Sequence, residues 1–294
     1  MLQDKYEDAA RLLDDHEDYK VLRRVTRYTI LEKCPEGCKV GIFLDTETTG
    51  TDYSKDEVIE LGMVPFVYND ENKIIGILKP FSKLRQPSVP ISQEIISLTG
   101  ITDQMVEGQT IDNSEVEEFV SLATVIVAHY ATFDRHMVEK YWPVFMDKYW
   151  ACSVSDINWK AYGFEGVKLG HLLLQFGLFH TGHRAIVDCH SGIELLAREL
   201  VSGQTGLSIL LERVNKVRYR VEATNTPYEL NNLLKERRYF WSKVDKVWVC
   251  TIDEEQLEEE IDWLQTTIWC NPNIRPKLTK ITAKDRFSGR FSTQ

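Results

Sequence analysis

The sequence lacks a long apolar run, which is the usual mark of a membrane-spanning protein. No stretch of its 294 residues approaches the roughly 20 consecutive apolar residues that a membrane-spanning helix needs. The first eight residues also lack the basic and then apolar order of a secretory signal peptide. From these two observations we expect a cytoplasmic protein without a membrane partner.

Cysteine is also scarce. The six cysteines lie at scattered positions, namely 34, 38, 152, 189, 250 and 270. Only Cys34 and Cys38 are close in sequence, and no second pair lies near them, whereas a structural zinc site usually shows four ligands in a recognisable spacing. We therefore expect free thiols in a reducing compartment rather than a disulfide framework or a zinc site.

An excess of positive charge is missing as well. Lysine and arginine number 35 against 45 acidic residues, which gives a formal net charge of −10. A protein that coats nucleic acid non-specifically needs a large basic surface, so the composition argues against that class. It is compatible with an enzyme that grips a short strand end locally. The sequence also contains no internal repeat and no low-complexity segment.

The most informative stretch is residues 40–50. It begins as an apolar run, which predicts a strand buried on both faces in the middle of an α/β sheet. Asp45 and Glu47 follow two residues apart and therefore point to the same face of the strand. Adjacent carboxylates repel each other, and Mg²⁺ or Mn²⁺ is the simplest partner for them. The alternative is a strand that ends and enters a polar turn rich in threonine and glycine.

The rest of the chain predicts a mixed sheet flanked by helices. The short turn between residues 58–67 and 74–78 makes those two strands an antiparallel hairpin. Residues 125–128 form a further buried strand, and amphipathic helices follow around residues 133–141, 169–176 and 186–200. The predicted fold class is α/β, with a small α+β module at the C-terminal end.

Three segments are predicted. Residues 1–38 form a helical arm, with a helix over residues 4–28. Residues 39–203 form the main domain, which ends at the polar and glycine-rich stretch 202–206. Residues 204–294 form the small module, βαβ-like, with strands at 219–223 and 246–250 and helices at 227–238 and 254–264. We expect Trp241 and Trp248 in its core rather than as platforms for base stacking.

The module ends in a basic tail. Residues 275–291 carry six lysines and arginines and one aspartate, together with Phe287 and Phe291. This composition suits contact with a single-stranded nucleic acid or a phosphate. A solvated, flexible tail is the alternative.

Two further carboxylates and a histidine complete a candidate site. Asp134 follows the strand at 125–128, where it could also be a simple helix cap. Asp188 lies beside the apolar face of the long helix, and His183 precedes it by five residues. At one end of the sheet, these carboxylates with Asp45 and Glu47 would hold two divalent ions, and the histidine could take a proton from water.

Four motifs in this order resemble the DEDDh 3′–5′ exonucleases. Residues 45–50 are DTETTG, residues 98–102 LTGIT, residues 128–134 AHYATFD and residues 183–188 HRAIVD. The resemblance covers about residues 38–200, and it is greatest to the proofreading epsilon subunit of bacterial replicative polymerases. The family usually has His-Asn-Ala where this chain has His129, Tyr130 and Ala131. Tyr130 replaces no metal ligand.

The resemblance implies a ribonuclease-H-like fold and stepwise release of nucleoside monophosphates from the 3′ end of single-stranded nucleic acid, with DNA favoured. It implies two Mg²⁺ or Mn²⁺ ions and His183 as general base. Asp45 would bridge both ions, Glu47 and Asp188 would complete the first site, and Asp134 would support the second ion. The residues implied in substrate binding are Thr46, Thr48, His129 and Phe133, although His129 at a strand end also suits a structural role.

A non-catalytic role is the competing hypothesis. The N-terminal arm, the acidic charge and the C-terminal module would suit a polymerase-associated or nucleic-acid-binding scaffold, with a DNA polymerase or a repair protein as partner. A scaffold has no use for clustered carboxylates, so the complete set of site residues favours the enzyme.

Overall fold

The computed structural model describes residues 2–25, 28–201 and 203–291. The strands are β1 Arg23–Arg24, β2 Lys39–Thr48, β3 Val58–Tyr68, β4 Ile74–Ile77, β5 Phe81–Leu84, β6 Val125–Ala128, β7 Trp150–Cys152, β8 Leu178–Phe179, β9 Glu199–Val201, β10 Gln204–Thr205, β11 Arg218–Ala223, β12 Phe240–Ser242, β13 Val247–Asp253 and β14 Lys277–Ile281. The α-helices are α1 Leu2–Asp14, α2 Gln93–Thr99, α3 Asp103–Val106, α4 Asn113–Ser121, α5 Ala131–Glu139, α6 Leu169–Gln175, α7 Ala185–Ala197, α8 Gly206–Asn215, α9 Asn231–Glu236 and α10 Leu257–Trp263. No helix in these ranges is long and apolar enough to cross a bilayer.

The main sheet is mixed, as predicted. Its strands lie in the order β4-β3-β2-β6-β7, and β5 also pairs with β3. β2 pairs antiparallel with β3 and parallel with β6, and β6 pairs parallel with β7. All eleven residues of β3 are buried, which is typical of a strand covered on both faces. The predicted hairpin of β3 and β4 is confirmed.

Helices cover the two faces of this sheet, and β2 contributes to both cores. Phe43 packs in the core that includes α6, α7 and α8, whereas Ile42 and Leu44 pack in the core with α4 and α5. Alternate residues of a strand point to opposite faces, so the α7 face also receives Asp45 and Glu47. The α5 face receives Thr46.

The predicted N-terminal helix is wrong beyond Asp14. α1 ends there, and the chain then extends so that β1 pairs in parallel with β8. The amides of Arg23 and Val25 donate to carbonyls of the main domain, and the Asp14 carboxylate accepts from the Val21 amide. Pairing with β8 and the β-branched valines outweighs the helical spacing. Met1, Thr26 and Arg27 lie outside the described residues.

The C-terminal module is α+β, as predicted, but it is not βαβ-like. Its four strands are antiparallel in the order β12-β13-β11-β14, and β12 and β14 were not predicted. The predicted helices are shorter than expected, because a 3₁₀ turn at Tyr228–Leu230 precedes α9 and another at Glu254–Gln256 precedes α10. Trp248 is buried in the module core, whereas the core prediction for Trp241 is wrong because its side chain is 48% exposed.

The described part of the basic tail is held by hydrogen bonds and an ion pair, although five of its six cationic side chains are exposed. The Arg135 side chain is fully buried, and its guanidinium donates to the carbonyls of Lys284 and Arg286. Arg286 forms a buried ion pair with Asp156 of the main domain. The tail is therefore bound to the main domain up to residue 290, and residues 292–294 lie outside the described residues.

The domain limits at 38/39 and 203/204 stay a prediction. α8 follows the predicted boundary, yet its Leu207 and Leu210 belong to the first core of the main domain. Ser202, within the predicted boundary stretch, lies outside the described residues. We propose that the independent core of the small module begins at β11.

Candidate active site

Three carboxylates meet at the end of β2. Asp45 and Glu47 lie on the α7 face of that strand, and Asp188 projects from the first turn of α7. Carboxylate oxygens of these three residues all lie within 4.8 Å of one another. The close approach of α7 makes this possible, since a Cβ on Gly62 would lie 2.6 Å from the Ala185 Cβ. The glycine of β3 thus lets the start of α7 pack directly on the sheet.

Asp134 reaches the same region from the opposite face of the sheet. Its Oδ1 accepts hydrogen bonds from the Thr46 amide at 3.1 Å and from the Thr46 hydroxyl at 2.9 Å. The helix cap position is Tyr130, so capping does not account for this buried carboxylate. Asp134 is not part of the three-residue cluster, because α5 and α7 cover different faces of β2.

Two contacts hold the Asp188 carboxylate. His180 lies with Nε2 2.9 Å from Oδ1, and the His183 amide donates to Oδ2 at 2.9 Å. His183 has a φ of 66°, in the left-handed region, and its side chain is exposed. The turn at residues 182–183 therefore directs the His183 backbone toward Asp188 and leaves the imidazole accessible. Sequence reasoning missed His180, since no spacing rule connects it to Asp188.

The carboxylates are electrostatically strained. Burial, followed by the charges of Asp134 and Asp188, raises the pKa of Asp45 well above its usual range. Burial and the nearby Asp188 raise the pKa of Glu47 to about 8, and burial raises the pKa of Asp134 to about 7. Shifts in this direction indicate that ionisation of these carboxylates is unfavourable in the metal-free protein. Carboxylate oxygens are the ligands that Mg²⁺ and Mn²⁺ prefer, so this donor set fits those ions.

An ion pair beside the cluster fixes the start of α7. Glu60 lies opposite Glu47 on β3, and its side chain is almost fully buried. It accepts two hydrogen bonds from the Arg184 guanidinium, at 3.0 and 3.1 Å, and one from the Ala185 amide at 3.2 Å. The Arg184 charge also lowers the pKa of Glu47, although less than burial raises it. Glu60 and Arg184 therefore attach the helix that carries Asp188 to the sheet.

An open cavity of about 590 Å³ adjoins these side chains. This volume lies within the roughly 300–1,000 Å³ of typical ligand sites. All the predicted site residues line it except Glu47 and Thr48, and the Thr48 hydroxyl instead donates to the Gly50 carbonyl. The exposed ring of Tyr130 also lines it, and α6 adds Leu169, His171 and Leu174, which the motifs did not indicate.

His129 has a structural role in this cavity wall. Its Nδ1 lies 2.8 Å from the Ser153 hydroxyl, and its Nε2 lies 2.7 Å from the Val167 carbonyl. Burial lowers the pKa of His129 to about 4, so the ring is neutral near pH 7. Both ring nitrogens are occupied, which leaves the ring faces and edges for any contact with a substrate.

Comparison with known proteins gives the family of this chain. A family model described as an exonuclease, RNase T, matches residues 42–196, which is more than half of the chain. The chain belongs to this exonuclease family. Residues 42–196 therefore form an exonuclease domain, and most of the mixed sheet around β2 lies within it.

Several bacterial polymerase proteins are similar to this exonuclease. The DNA polymerase III subunit epsilon of Treponema pallidum is 32% identical over 160 residues, which cover 51% of this chain and 72% of that subunit. The epsilon subunit of Aquifex aeolicus is 29% identical over 168 residues, which cover 54% and 79%. The PolC-type DNA polymerase III of Pediococcus pentosaceus is 33% identical over 173 residues, 53% of this chain but only 11% of that polymerase.

Solved structures of exonucleases are similar at lower identity. Exonuclease I is 16% identical with a TM-score of 0.49, and the match covers 83% of this chain and 63% of that one. Exonuclease X in complex with 5′ overhanging duplex DNA is 22% identical with a TM-score of 0.41, and the match covers 59% and 90%.

Proposed function

We propose that this exonuclease hydrolyses phosphodiester bonds from the 3′ end of single-stranded nucleic acid, with DNA favoured, and releases nucleoside 5′-monophosphates. The observation that carries the proposal is the cluster of Asp45, Glu47 and Asp188 within 4.8 Å at the end of β2. The cluster borders an open cavity, and membership of the exonuclease family supports the reaction that we assign to it. Relatives named as DNA polymerase III subunits support DNA as the substrate.

Two divalent ions, Mg²⁺ or Mn²⁺, are part of this proposal. Asp45, Glu47 and Asp188 would hold one ion, and Asp45 with Asp134 would hold the other. Two such ions, when bound, activate water and stabilise the charge on the attacking and leaving oxygens. The raised pKa values of Asp45 and Glu47 support this assignment, since a bound cation would offset the repulsion between these carboxylates.

The chain's own residues supply the proton transfer and the substrate contacts. We assign the role of general base to His183, because its exposed imidazole lines the cavity. Its amide remains bonded to Asp188, which fixes the backbone from which the ring projects. Thr46 and Phe133 also line the cavity, and we assign them contacts with the terminal nucleotide.

A cytoplasmic location and a polymerase or repair partner belong to the same proposal. All six cysteines have free thiols, which agrees with a reducing compartment. Similar proteins are named as polymerase subunits, but the matched region covers about a tenth of the PolC-type chains. The scaffold hypothesis has less support, because a scaffold gains nothing from carboxylates held together against their repulsion.

Digestion of 5′-labelled single strands tests the proposal. DNA and RNA of matched sequence are incubated with Mg²⁺ or with EDTA, beside an Asp45→Ala control. We expect a ladder that shortens from the 3′ end, is lost in EDTA and in the variant, and advances faster on DNA. Intact strands of both kinds under all conditions would overturn the proposal in favour of a binding role. A faster RNA ladder would overturn only the sugar assignment.

A further inference from the structure

An exposed aromatic residue and three cationic residues lie on and beside the hairpin of β12 and β13. We call the residues Arg238, Trp241, Lys243 and Lys246 the hairpin surface. It lies in the C-terminal module, outside the family match and outside the walls of the candidate active site. Five cationic and three acidic residues lie between positions 228 and 248, in a chain whose net charge is −10. The hairpin therefore differs in charge from the molecule as a whole.

Trp241 is fixed and yet open to solvent. β12 is an edge strand, and Trp241 pairs there with Trp248 of β13. The two indole rings meet edge to face at a centroid distance of 5.8 Å, and the Trp248 Nε1 donates to the Asn231 side chain at 3.0 Å. Trp248 is thus held in the core, whereas 48% of Trp241 remains exposed. A rigid, half-exposed indole is suited to stacking with a flat aromatic group.

The cations of the hairpin surface have no partner within the described ranges. Neither an ion pair nor a side-chain hydrogen bond engages Arg238, Lys243 or Lys246 there. The acidic residue of the same turn, Asp245, is bonded to Arg220 and to the Ser242 hydroxyl. Its charge is therefore balanced by Arg220, although the Asp245 side chain is 44% exposed. Within the described ranges, the charge at this turn that has no partner is positive.

The backbone adds a second indication. Arg238 and Lys246 flank β12 and its turn with φ values of 67° and 55°. This left-handed region favours glycine and asparagine, so a long cationic side chain is an unfavourable choice for the turn itself. Strain of this kind is often retained where the side chain serves a function.

We propose that the hairpin surface binds single-stranded nucleic acid, with a base stacked on Trp241 and phosphates near Arg238, Lys243 and Lys246. Sequence-tolerant single-strand sites combine these two elements, an aromatic platform and a cationic track along the backbone. In a duplex the faces of the bases are stacked on one another and cannot stack on Trp241. The surface therefore selects unpaired strands. Binding here does not require cleavage. Only one consequence of this binding, a benefit for the digestion of long strands, rests on the proposed exonuclease activity.

The test measures strand binding by fluorescence anisotropy with the full chain in EDTA, where the metal-dependent reaction is off. The probes are labelled single-stranded DNA and the same sequence as a blunt duplex. The variants are Trp241→Ala and the double variant Lys243→Ala with Lys246→Ala. Matched controls are Tyr19→Ala, another exposed aromatic packed edge to face on a neighbouring ring, and Lys33→Ala with Lys79→Ala. Thermal melts check that each variant is folded.

We expect Trp241→Ala to weaken single-strand binding about tenfold or more, as removal of a stacking platform does. The double lysine variant should weaken binding and lower the slope of log K against log salt by about 1.4, or about 0.7 for each lost phosphate contact. Both controls should bind as the wild type does, and the duplex should bind more weakly than the single strand. The lysines lie on an exposed turn, so their removal tests the surface even if Trp241→Ala fails to fold.

Two results would overturn this proposal. One is wild-type affinity and salt slope in the folded lysine variant, and the other is equal losses in the controls. In either case the exposed hairpin would be assigned to a protein partner instead. Failure of digestion in Mg²⁺ would leave the binding result unaffected, because binding is measured in EDTA.

Discussion

The carboxylates of the candidate active site lie in positions where their ionised forms are unfavourable without a bound cation. Burial and neighbouring carboxylates raise the pKa values of Asp45 and Glu47, and burial raises the pKa of Asp134. The nearby arginine, Arg184, is engaged by Glu60 and offsets only part of this effect. These carboxylates therefore reduce the stability of the metal-free protein near neutral pH, and this electrostatic cost is what a bound metal ion would remove.

The first prediction concerns pH and metal. Because the folded-state pKa of Glu47 is about 8, above the ordinary 4.5, the folded state binds more protons than the unfolded state between these values. Stability of the metal-free protein should therefore fall as pH rises from about 5 to about 8. Melting temperatures in EDTA across this range check the sign. Mg²⁺ should raise the melting temperature more at the upper end, and the reverse order would contradict the metal assignment.

The second prediction separates the two histidines at Asp188. His183→Ala should lower kcat by about 10²–10⁴-fold if it is the general base. His180→Ala should instead weaken metal affinity by about 10–100-fold, as loss of a group that orients a ligand does. His180→Gln keeps a donor for Asp188 and should recover much of that affinity. Titration calorimetry and turnover on a short single strand distinguish the effects. Equal loss of kcat in both alanine variants, with unchanged metal affinity, would contradict the separation.

Residue-level prediction from the sequence succeeded where the position of a side chain follows from local spacing. Asp45 and Glu47 were placed together because a strand has a two-residue period, and the structure shows them in one cluster. Glu60 and His180 were missed because their partners, Arg184 and Asp188, are set by three-dimensional packing. Trp241 was placed wrongly in the core, because sequence cannot distinguish an edge strand from a central one.

At the scale of elements, the docking of α7 on the sheet determines the site. The sequence indicated the apolar face of this helix. The structure shows that Phe43 packs directly against Gly192, since a Cβ there would lie 2.0 Å from the phenyl ring. The sequence also predicted a helix over residues 4–28, but residues 23–24 of this segment form β1 instead. That segment could not be predicted because its partner strand, β8, lies about 155 residues further along the chain.

The third prediction tests the Glu60–Arg184 ion pair, whose two side chains differ in burial. Glu60 is buried whereas the Arg184 side chain is 44% exposed. Arg184→Ala leaves a buried unpaired carboxylate and should cost about 3 kcal/mol or more of unfolding free energy. Glu60→Gln leaves an arginine that water can solvate and should cost less. Urea unfolding of both variants measures this. A larger loss for Glu60→Gln would show that the pair does not act as the anchor of α7.

The fourth prediction concerns the fit of Gly192 against Phe43. Gly192→Ala overfills a packed core and should destabilise the fold by about 1–3 kcal/mol. Phe43→Leu in the same chain makes room for the added methyl group. The double variant should therefore be more stable than the sum of the two single losses, as a double-mutant cycle by urea unfolding would show. Strict additivity would contradict the contact.

At the scale of the whole molecule, the tail joins the small module to the exonuclease domain. The chain crosses from the main core through α8, builds the four-stranded sheet, and returns to the main domain at residues 283–290. There Ser288 donates to Glu139, and the Ala283 carbonyl accepts from the Trp150 amide. The sequence indicated the boundary region and the tail charge. The return of the chain could not be predicted from the sequence, because Arg135 and Arg286 bond to groups that are distant in sequence, namely backbone carbonyls and Asp156.

The fifth prediction tests this connection through Arg135. Its guanidinium is buried with Glu139 and with carbonyls of the tail. Arg135→Ala leaves Glu139 unpaired and should cost about 3–5 kcal/mol. The tail should also become sensitive to limited proteolysis between residues 282 and 290 in the folded protein. Arg11→Ala, an exposed arginine on α1, is the matched control. A protease-resistant tail in Arg135→Ala would contradict the proposed connection.

The most direct test of the central claim is turnover by conservative variants of the four carboxylates. Asp45→Asn, Glu47→Gln, Asp134→Asn and Asp188→Asn keep side-chain size and remove charge, and Asp70→Asn changes an aspartate whose side chain is 80% exposed. Release of nucleoside 5′-monophosphate from a single strand is measured with saturating Mg²⁺, after melts confirm folding. Each site variant should lose more than the roughly 10–100-fold that loss of a supporting group costs, whereas Asp70→Asn should keep wild-type turnover. Wild-type turnover in any folded site variant would contradict the assignment of that carboxylate, and in all four it would show that the cluster is not the catalytic centre.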